Sequence, residues 1–287
     1  MDSSYNDKEK LIWLNGELVG ELRASVSVFD HGLLTGDGVF ETLIAYDHNP
    51  FAYTRHYRRL EKSAKAFNLN VPDINYIRNA CIEVLKTNAN FPARLRITIT
   101  GGEAPLGSEK GRSQENVIIA STRAPVQPDF SDVITVSFPR NEHGVLSGLK
   151  TTSYGENVIA LAQAHSVGAK EAIFGNVSGN LCEGTGSNIF VCYKNKLITP
   201  PLSSGCLAGV TRSLVIEICE KLQIPVWEED LKIEHLEDVE FAFLTSTLRE
   251  VQPIETLNGI KLPLVLNSTV QKIKDEFKLL IAENSDP

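Results

Sequence analysis

Two prolines, Pro125 and Pro128, stand between the apolar run Val117–Ser121 (VIIAS) and the next strand-like run, Asp132–Phe138 (DVITVSF). Proline fixes φ and cannot donate to a ladder, so no ordinary strand or helix passes through this stretch. A chain of 287 residues is also longer than one ordinary hydrophobic core. The break therefore reads as a linker. It predicts a small N-terminal α/β domain over 1–122, a connection at 123–131, and a larger, strand-rich α/β domain over 132–287. The fold class is α+β with two domains.

Local patterns fill this frame. Leu11–Leu14, the turn Asn15-Gly16 and Glu17–Val19 read as a hairpin, and Val39–Tyr46 as a strand. Tyr57, Leu60, Ala64 and Phe67 recur at helical spacing in 54–69, with Thr54 as the expected N-cap. Ile74, Ile77, Cys81, Val84 and Leu85 mark a second helix, and Arg94–Thr100 (RLRITIT) alternates as a half-buried strand. The Gly- and Ser-rich stretch 101–115 is a surface loop or a lid. Beyond the linker the expected helices are Glu156–Val167, Thr211–Leu222 and one through Val270, Ile273, Phe277 and Ile281. Strands are expected at Glu171–Phe174, Asn188–Cys192, Pro225–Trp227 and Phe241–Thr245.

Charge and cysteine usage exclude several classes. A net charge of −8 argues against a duplex nucleic-acid binder, yet leaves room for a small anionic ligand held by local arginines. Five scattered cysteines without a CxxC pair read as reduced thiols, and the polar start MDSSYNDKEK has no apolar signal core. No apolar run reaches membrane-spanning length. The expectation is a cytoplasmic protein without nucleic-acid or membrane partners. No metal site is expected, because there is no HExxH and no His–Cys pair at zinc-ligand spacing. Gly36-Asp-Gly38 and Gly184-Thr-Gly186 lack the third glycine of a dinucleotide loop, and there is no Walker A sequence.

The chemistry-bearing residues are ambiguous one by one. Lys150 stands in the weakly charged run GLKTTSY, where a buried amine would be a nucleophile toward carbonyls; a solvated lysine fits the same run. Glu183 opens the small-residue turn EGTGSN. Gly209-Val210-Thr211 begins an amphipathic segment, where backbone N–H groups and a hydroxyl meet an anion, or where Thr211 caps the helix. Thr245-Ser246-Thr247 offers hydroxyls at a strand end. Arg59, beside Leu60 in a helix, points inward or into solvent.

Taken in order, FDHG…GDGVFET (29–42), HxxRL (56–60), LKTTSYGEN (149–157), EGTGSNIF (183–190), LAGVTR (207–212) and LTSTLREVQPI (244–254) resemble the class IV, or fold type IV, pyridoxal-phosphate enzymes. That family includes branched-chain and D-amino-acid aminotransferases and 4-amino-4-deoxychorismate lyase. The resemblance runs from about Leu11 onward. It implies a D-amino-acid-aminotransferase-like fold, pyridoxal 5'-phosphate as cofactor, a small amino substrate and a homodimer.

By position, Lys150 resembles the lysine that binds the cofactor covalently and acts as base, and Glu183 the acid at the pyridine nitrogen. Arg59, Val210, Thr211, Ser246 and Thr247 fall on phosphate-binding positions, and Leu207 on the residue packed against the ring. Phe40 and Thr42 are expected on the substrate side. FDHGLLTGDGVFETL most resembles the lyase branch. The expected reaction is therefore release of pyruvate and 4-aminobenzoate from aminodeoxychorismate, a step toward folate. The alternative is an amino-acid aminotransferase, branched-chain type first and D-amino-acid type second. The arginine–x–histidine carboxylate trap of the D-amino-acid type is absent from 101–107 (GGEAPLG).

Overall fold

The computed structural model describes residues 9–263 and 267–287. Most of the polar N-terminal run, residues 1–8, lies outside the described residues. The chain forms two compact units, which change over between Pro125 and Val126; Lys150–Ser153 and Asp286 join the first unit.

The first unit contains β1 (Leu11–Leu14), β2 (Glu17–Gly20), a short helix α1 (His31–Leu34), β3 (Gly38–Ala45), α2 (Tyr53–Ala66), α3 (Ile74–Asn88), β4 (Ala93–Thr100) and β5 (Asn116–Arg123). Its strands form an antiparallel sheet in the order β2-β1-β5-β4-β3. Asn15 and Gly16 both take positive φ, as the tight β1–β2 turn requires. Alternation decides the faces. Leu95, Ile97 and Ile99 of β4 join Val39 and Leu43 of β3 in one core with Leu60, Ile77 and Leu85 of the two helices. Arg94 and Arg96 stay exposed on the other face.

Helix α2 starts one residue earlier than its sequence signal. Ala52, in the left-handed region, occupies the N-cap position and Thr54 falls inside the first turn. Thr54 therefore does not cap. Its N–H and hydroxyl instead donate to the Asp286 carboxylate, at 2.8 and 2.6 Å, and this acid serves the open helix end. The loop 101–115 is tied down through His31, whose N–H donates to the Gly102 carbonyl and whose Nε2 lies 3.0 Å from the Gly107 carbonyl.

Lys150 departs from the domain expected to carry it. Thr151 forms an antiparallel bridge with Val39, the Phe40 N–H donates to the Lys150 carbonyl, and the Thr152 N–H donates to the Gly38 carbonyl. β3 is an edge strand, and 150–152 covers part of its open side. These bonds place the lysine segment with the first unit rather than with 132–287.

The second unit contains β6 (Ser131–Thr135), α4 (Gly155–Ser166), β7 (Glu171–Gly175), β8 (Leu181–Gly184), β9 (Asn188–Tyr193), β10 (Lys196–Thr199), α5 (Val210–Lys221), β11 (Val226–Glu228), β12 (Phe241–Ser246), β13 (Glu250–Leu257), β14 (Ile260–Lys261) and α6 (Ser268–Glu283). The mixed sheet runs β11-β10-β9-β12-β13-β6-β7-β8, with β14 beside β13. The pairs β10–β11, β6–β13 and β6–β7 are parallel. Ala160 and Ala164 of α4 pack with Ala172 and Phe174 of β7, small residues letting the helix lie close to the sheet.

Sequence patterns did not announce β10 or β13. Pro253 argues against a central strand, yet β13 tolerates it beside a register shift at Ile254/Thr256. β6 ends at Thr135, short of the expected Phe138, and Glu183 lies in β8 opposite Phe174 rather than in the turn that follows. Among the described residues no helix is long and apolar enough to cross a membrane.

Candidate active site

Within the first unit, β3 sorts the motif GDGVFET by face. Phe40 and Thr42 lie opposite the core, and Glu41 points inward toward α2. Lys150 Nζ sits 4.5 Å from the centroid of the Phe40 ring, and the Arg96 guanidinium lies 3.7 Å from the same centroid. An amine and a guanidinium thus both lie against the Phe40 ring. Thr42 is the register partner of Arg96. The backbone of Lys150 is seated by its own N–H, which donates to Ser63 Oγ of α2 at 3.1 Å.

Arg59 points inward. Its Nε and Nη2 donate to the two Glu41 oxygens at 2.7 and 2.8 Å, and His56 Nδ1 lies 2.7 Å from Glu41 Oε2. Burial alone pushes the Glu41 carboxyl up. The charge and hydrogen bonds of Arg59, joined by His56, more than offset this and hold it well below the usual carboxylate range. Burial lowers the His56 ring, helped by the Arg59 and Lys150 charges and opposed by Glu41. A ring nitrogen this close to a carboxylate donates to it, which puts a proton on His56 Nδ1.

Within the second unit, Glu183 Oε2 accepts the Leu207 N–H at 2.9 Å, and Arg140 Nη2 lies 3.7 Å from Glu183 Oε1. Arg140 is itself placed by Glu156, Asn157 and the Phe174 ring. The turn after Glu183 is fastened from below. Buried Glu171 accepts the Thr185 N–H and the Thr185 and Ser187 hydroxyls, while Tyr154 Oη and Asn157 Nδ2 donate to the Thr185 carbonyl.

Asn188 Nδ2 donates to the Leu207 carbonyl, and a Cβ on Gly209 would lie 1.9 Å from Asn188 Oδ1. Glycine is required there by space. Gly209 is also the N-cap of α5 and supplies no side-chain cap. The reading of Thr211 as a cap therefore gives way, since Thr211 lies one residue inside the helix. The first N–H groups of α5 have no intrahelical acceptor, as at every helix start. Ser246 ends β12 and accepts the Arg249 N–H at 3.2 Å; Thr247 follows in the turn. Among the described residues the buried Thr245 Oγ1 has no hydrogen-bond partner.

The expected site residues thus fall into two sets. Lys150, Phe40, Thr42 and Arg59 belong to the first unit, and Glu183, Leu207, Val210, Thr211, Ser246 and Thr247 to the second. Sequence reasoning passed over Glu41, His56, Arg96, Arg140, Glu171 and Asn188. For Glu41 a signal existed. A carboxylate amid the apolar strand VFETLIA demands a buried partner, and HYRR supplies two basic groups three residues apart.

The chain is similar to known proteins over most of its length. The family model for amino-transferase class IV matches residues 38–257. A Methanocaldococcus jannaschii protein provisionally named a branched-chain-amino-acid aminotransferase is 35% identical over 277 residues, covering 93% of this chain and 95% of its own. The structure of the Thermoproteus uzoniensis branched-chain aminotransferase with norvaline superposes with a TM-score of 0.89 at 30% identity, covering 97% of each chain. A Legionella pneumophila structure provisionally titled 4-amino-4-deoxychorismate lyase superposes with a TM-score of 0.85 at 25% identity, covering 90% of this chain and 96% of its own.

Proposed function

The chain belongs to the class IV aminotransferases, and we propose that it transfers the amino group of an amino acid of the branched-chain type to a 2-oxo acid. Enzymes of this family act with pyridoxal 5'-phosphate. The first expectation from the sequence, aminodeoxychorismate lyase, yields to the alternative. The relative at 35% identity carries a branched-chain aminotransferase name, against 25% for the lyase-titled neighbour.

The residues present suit the cofactor. They supply an amine on an aromatic face, a buried and oriented arginine, a carboxylate fixed by a backbone N–H, and a helix start whose glycine cap leaves its N–H groups to a ligand. When bound, pyridoxal phosphate supplies an electron sink for the bond-breaking step.

In this reading Lys150 Nζ would hold the cofactor, then take the proton from the substrate Cα and deliver it elsewhere than to that carbon, so that the amino group can leave the substrate. Glu183 would face the pyridine nitrogen and keep it protonated. Arg59, the N–H groups of Val210 and Thr211, and the hydroxyls of Thr211, Ser246 and Thr247 hold the phosphate, and Leu207 packs on the ring. Phe40, with Thr42 beside it, receives an apolar substrate side chain, and Arg96 attracts the substrate carboxylate. A homodimer in the cytoplasm belongs to the same reading and is carried by the resemblance alone.

The observation that carries this reading is that Lys150 and Arg96 both lie against the Phe40 ring, which suits an amino acid with an apolar side chain. The test incubates purified holoenzyme with leucine, isoleucine or valine and 2-oxoglutarate, and in parallel with aminodeoxychorismate. Branched 2-oxo acids and glutamate are expected. Release of 4-aminobenzoate and pyruvate, with no transamination, would overturn the proposal in favour of the lyase.

A further inference from the structure

Glu41 is a fully buried carboxylate in a strand whose other inward residues, Val39, Leu43 and Ala45, are apolar. Such a charge is costly, and fold stability alone is often served as well by hydrocarbon. Its partners point to a different use. The bidentate grip of Glu41 on Nε and Nη2 fixes the plane of the Arg59 guanidinium, and His56, one turn back along α2, also contacts Oε2. The Nε–Nη2 side of the fork is committed to Glu41.

The same elements seat the lysine. Ser63, one turn beyond Arg59 on α2, accepts the Lys150 N–H, and Phe40, the neighbour of Glu41 on β3, donates its N–H to the Lys150 carbonyl. Glu41 therefore ties α2 to β3 at the place where both hold Lys150.

We infer that Glu41 is a positioning residue. It holds the Arg59 guanidinium in one orientation relative to Lys150, so that the group gripping a ligand's phosphate and the amine meeting its ring are set in place before the ligand arrives. This rests on the proposed role of Arg59 in phosphate binding. Glu41 also cancels the Arg59 charge, and the two effects have opposite signs. If orientation dominates, losing the grip weakens a phosphorylated ligand; if charge cancellation dominates, removing the carboxylate strengthens it.

The test titrates the full-length apoprotein with pyridoxal phosphate and with pyridoxal, which lacks the phosphate, following the absorbance of the bound ring and checking each variant by thermal melting. Glu41→Gln is expected to bind pyridoxal phosphate about tenfold more weakly, the usual scale for a lost supporting contact, with pyridoxal little changed. Glu41→Asp keeps the charge and shortens the reach; it should weaken the phosphorylated ligand selectively as well, and it serves if Glu41→Gln does not fold. Arg59→Lys should show the same selectivity, and the double variant Glu41→Gln/Arg59→Lys should be no weaker than Arg59→Lys.

Tighter pyridoxal phosphate binding in Glu41→Gln, equal weakening of both ligands, or an unchanged phosphate preference in Glu41→Asp would overturn the assignment. Additive losses in the double variant would do the same. A wild-type protein with no preference for the phosphorylated ligand would instead sink the proposed function and say nothing against the Glu41 contacts.

Discussion

The two units hold their candidate site residues by different physical means. In the first, the devices are side chains on regular elements: Glu41 on β3 grips Arg59 and His56 on α2, and Ser63 of the same helix seats the Lys150 backbone. In the second, beside the buried Glu171 that fastens the turn after Glu183, the groups that touch the expected site residues are backbone groups at element ends. The Leu207 N–H holds Glu183, the Leu207 carbonyl holds Asn188, and α5 begins on a glycine. Charged side chains on rigid elements tolerate conservative exchange poorly because their partners are left buried and unpaired. Backbone devices are indifferent to most side chains and sensitive to any atom that occupies their space.

Substitutions sharpen this contrast. The largest effect is expected at Lys150. Lys150→Ala should lower kcat by about 10²–10⁴-fold or more while the melting temperature stays near wild type, since an amine that moves a proton contributes on that scale. Steady-state transamination rates and a thermal melt decide it, and a variant retaining a tenth of the activity would remove the lysine from its role. Next comes the core that supports the side-chain devices. Leu60 is fully buried beside Arg59, and Leu60→Ala should cost about 2–5 kcal/mol in urea unfolding.

Gly209→Ala probes the backbone device. Its added Cβ meets Asn188 Oδ1, so the variant should lose about 1–3 kcal/mol and bind cofactor more weakly, whereas Asn188→Gly combined with Gly209→Ala should recover part of the loss. Failure of the double variant to recover would show that the clash lies elsewhere.

The smallest effect concerns Asp286 at the start of α2. Burial acts to raise its carboxyl, but bonds from Thr54 and Arg78 outweigh this and hold it below the ordinary value of 3.8. A depressed carboxylate stabilises the fold above its unfolded pKa and loses that contribution as pH falls through the folded value. Asp286→Asn should therefore cost about 0.5–1 kcal/mol at pH 7, a partly exposed helix-end pair, and progressively less below pH 4. Urea midpoints measured across pH 3–7 check the sign. A cost that grows on acidification would refute the capping role.

Legibility in the sequence follows the same division. The side-chain unit was largely readable: RLRITIT alternated as β4 does, apolar spacing located α2 and α3, and HYRRL located Arg59. The burial of Arg59 was not readable, because it depends on Glu41 arriving from another element. In the second unit the helices were found from periodicity, whereas β13 was hidden by Pro253 and β8 by its short length. Thr211 looked like a cap because caps and second-position residues share the same types. Only the backbone angles at Gly209 distinguish them.

By itself the sequence determined where the helices and most of the strands lie, and which motifs carry an amine, an acid and an arginine, since these follow from periodicity and residue chemistry over short spans. The tertiary structure alone decided that Lys150 pairs with the edge of β3, leaving the chain on either side of it in the second unit. It also decided that Arg59 is spoken for by Glu41 and that Gly209 has no room for a side chain. Each of these rests on contacts between residues far apart in the chain, and such contacts leave no period in the sequence.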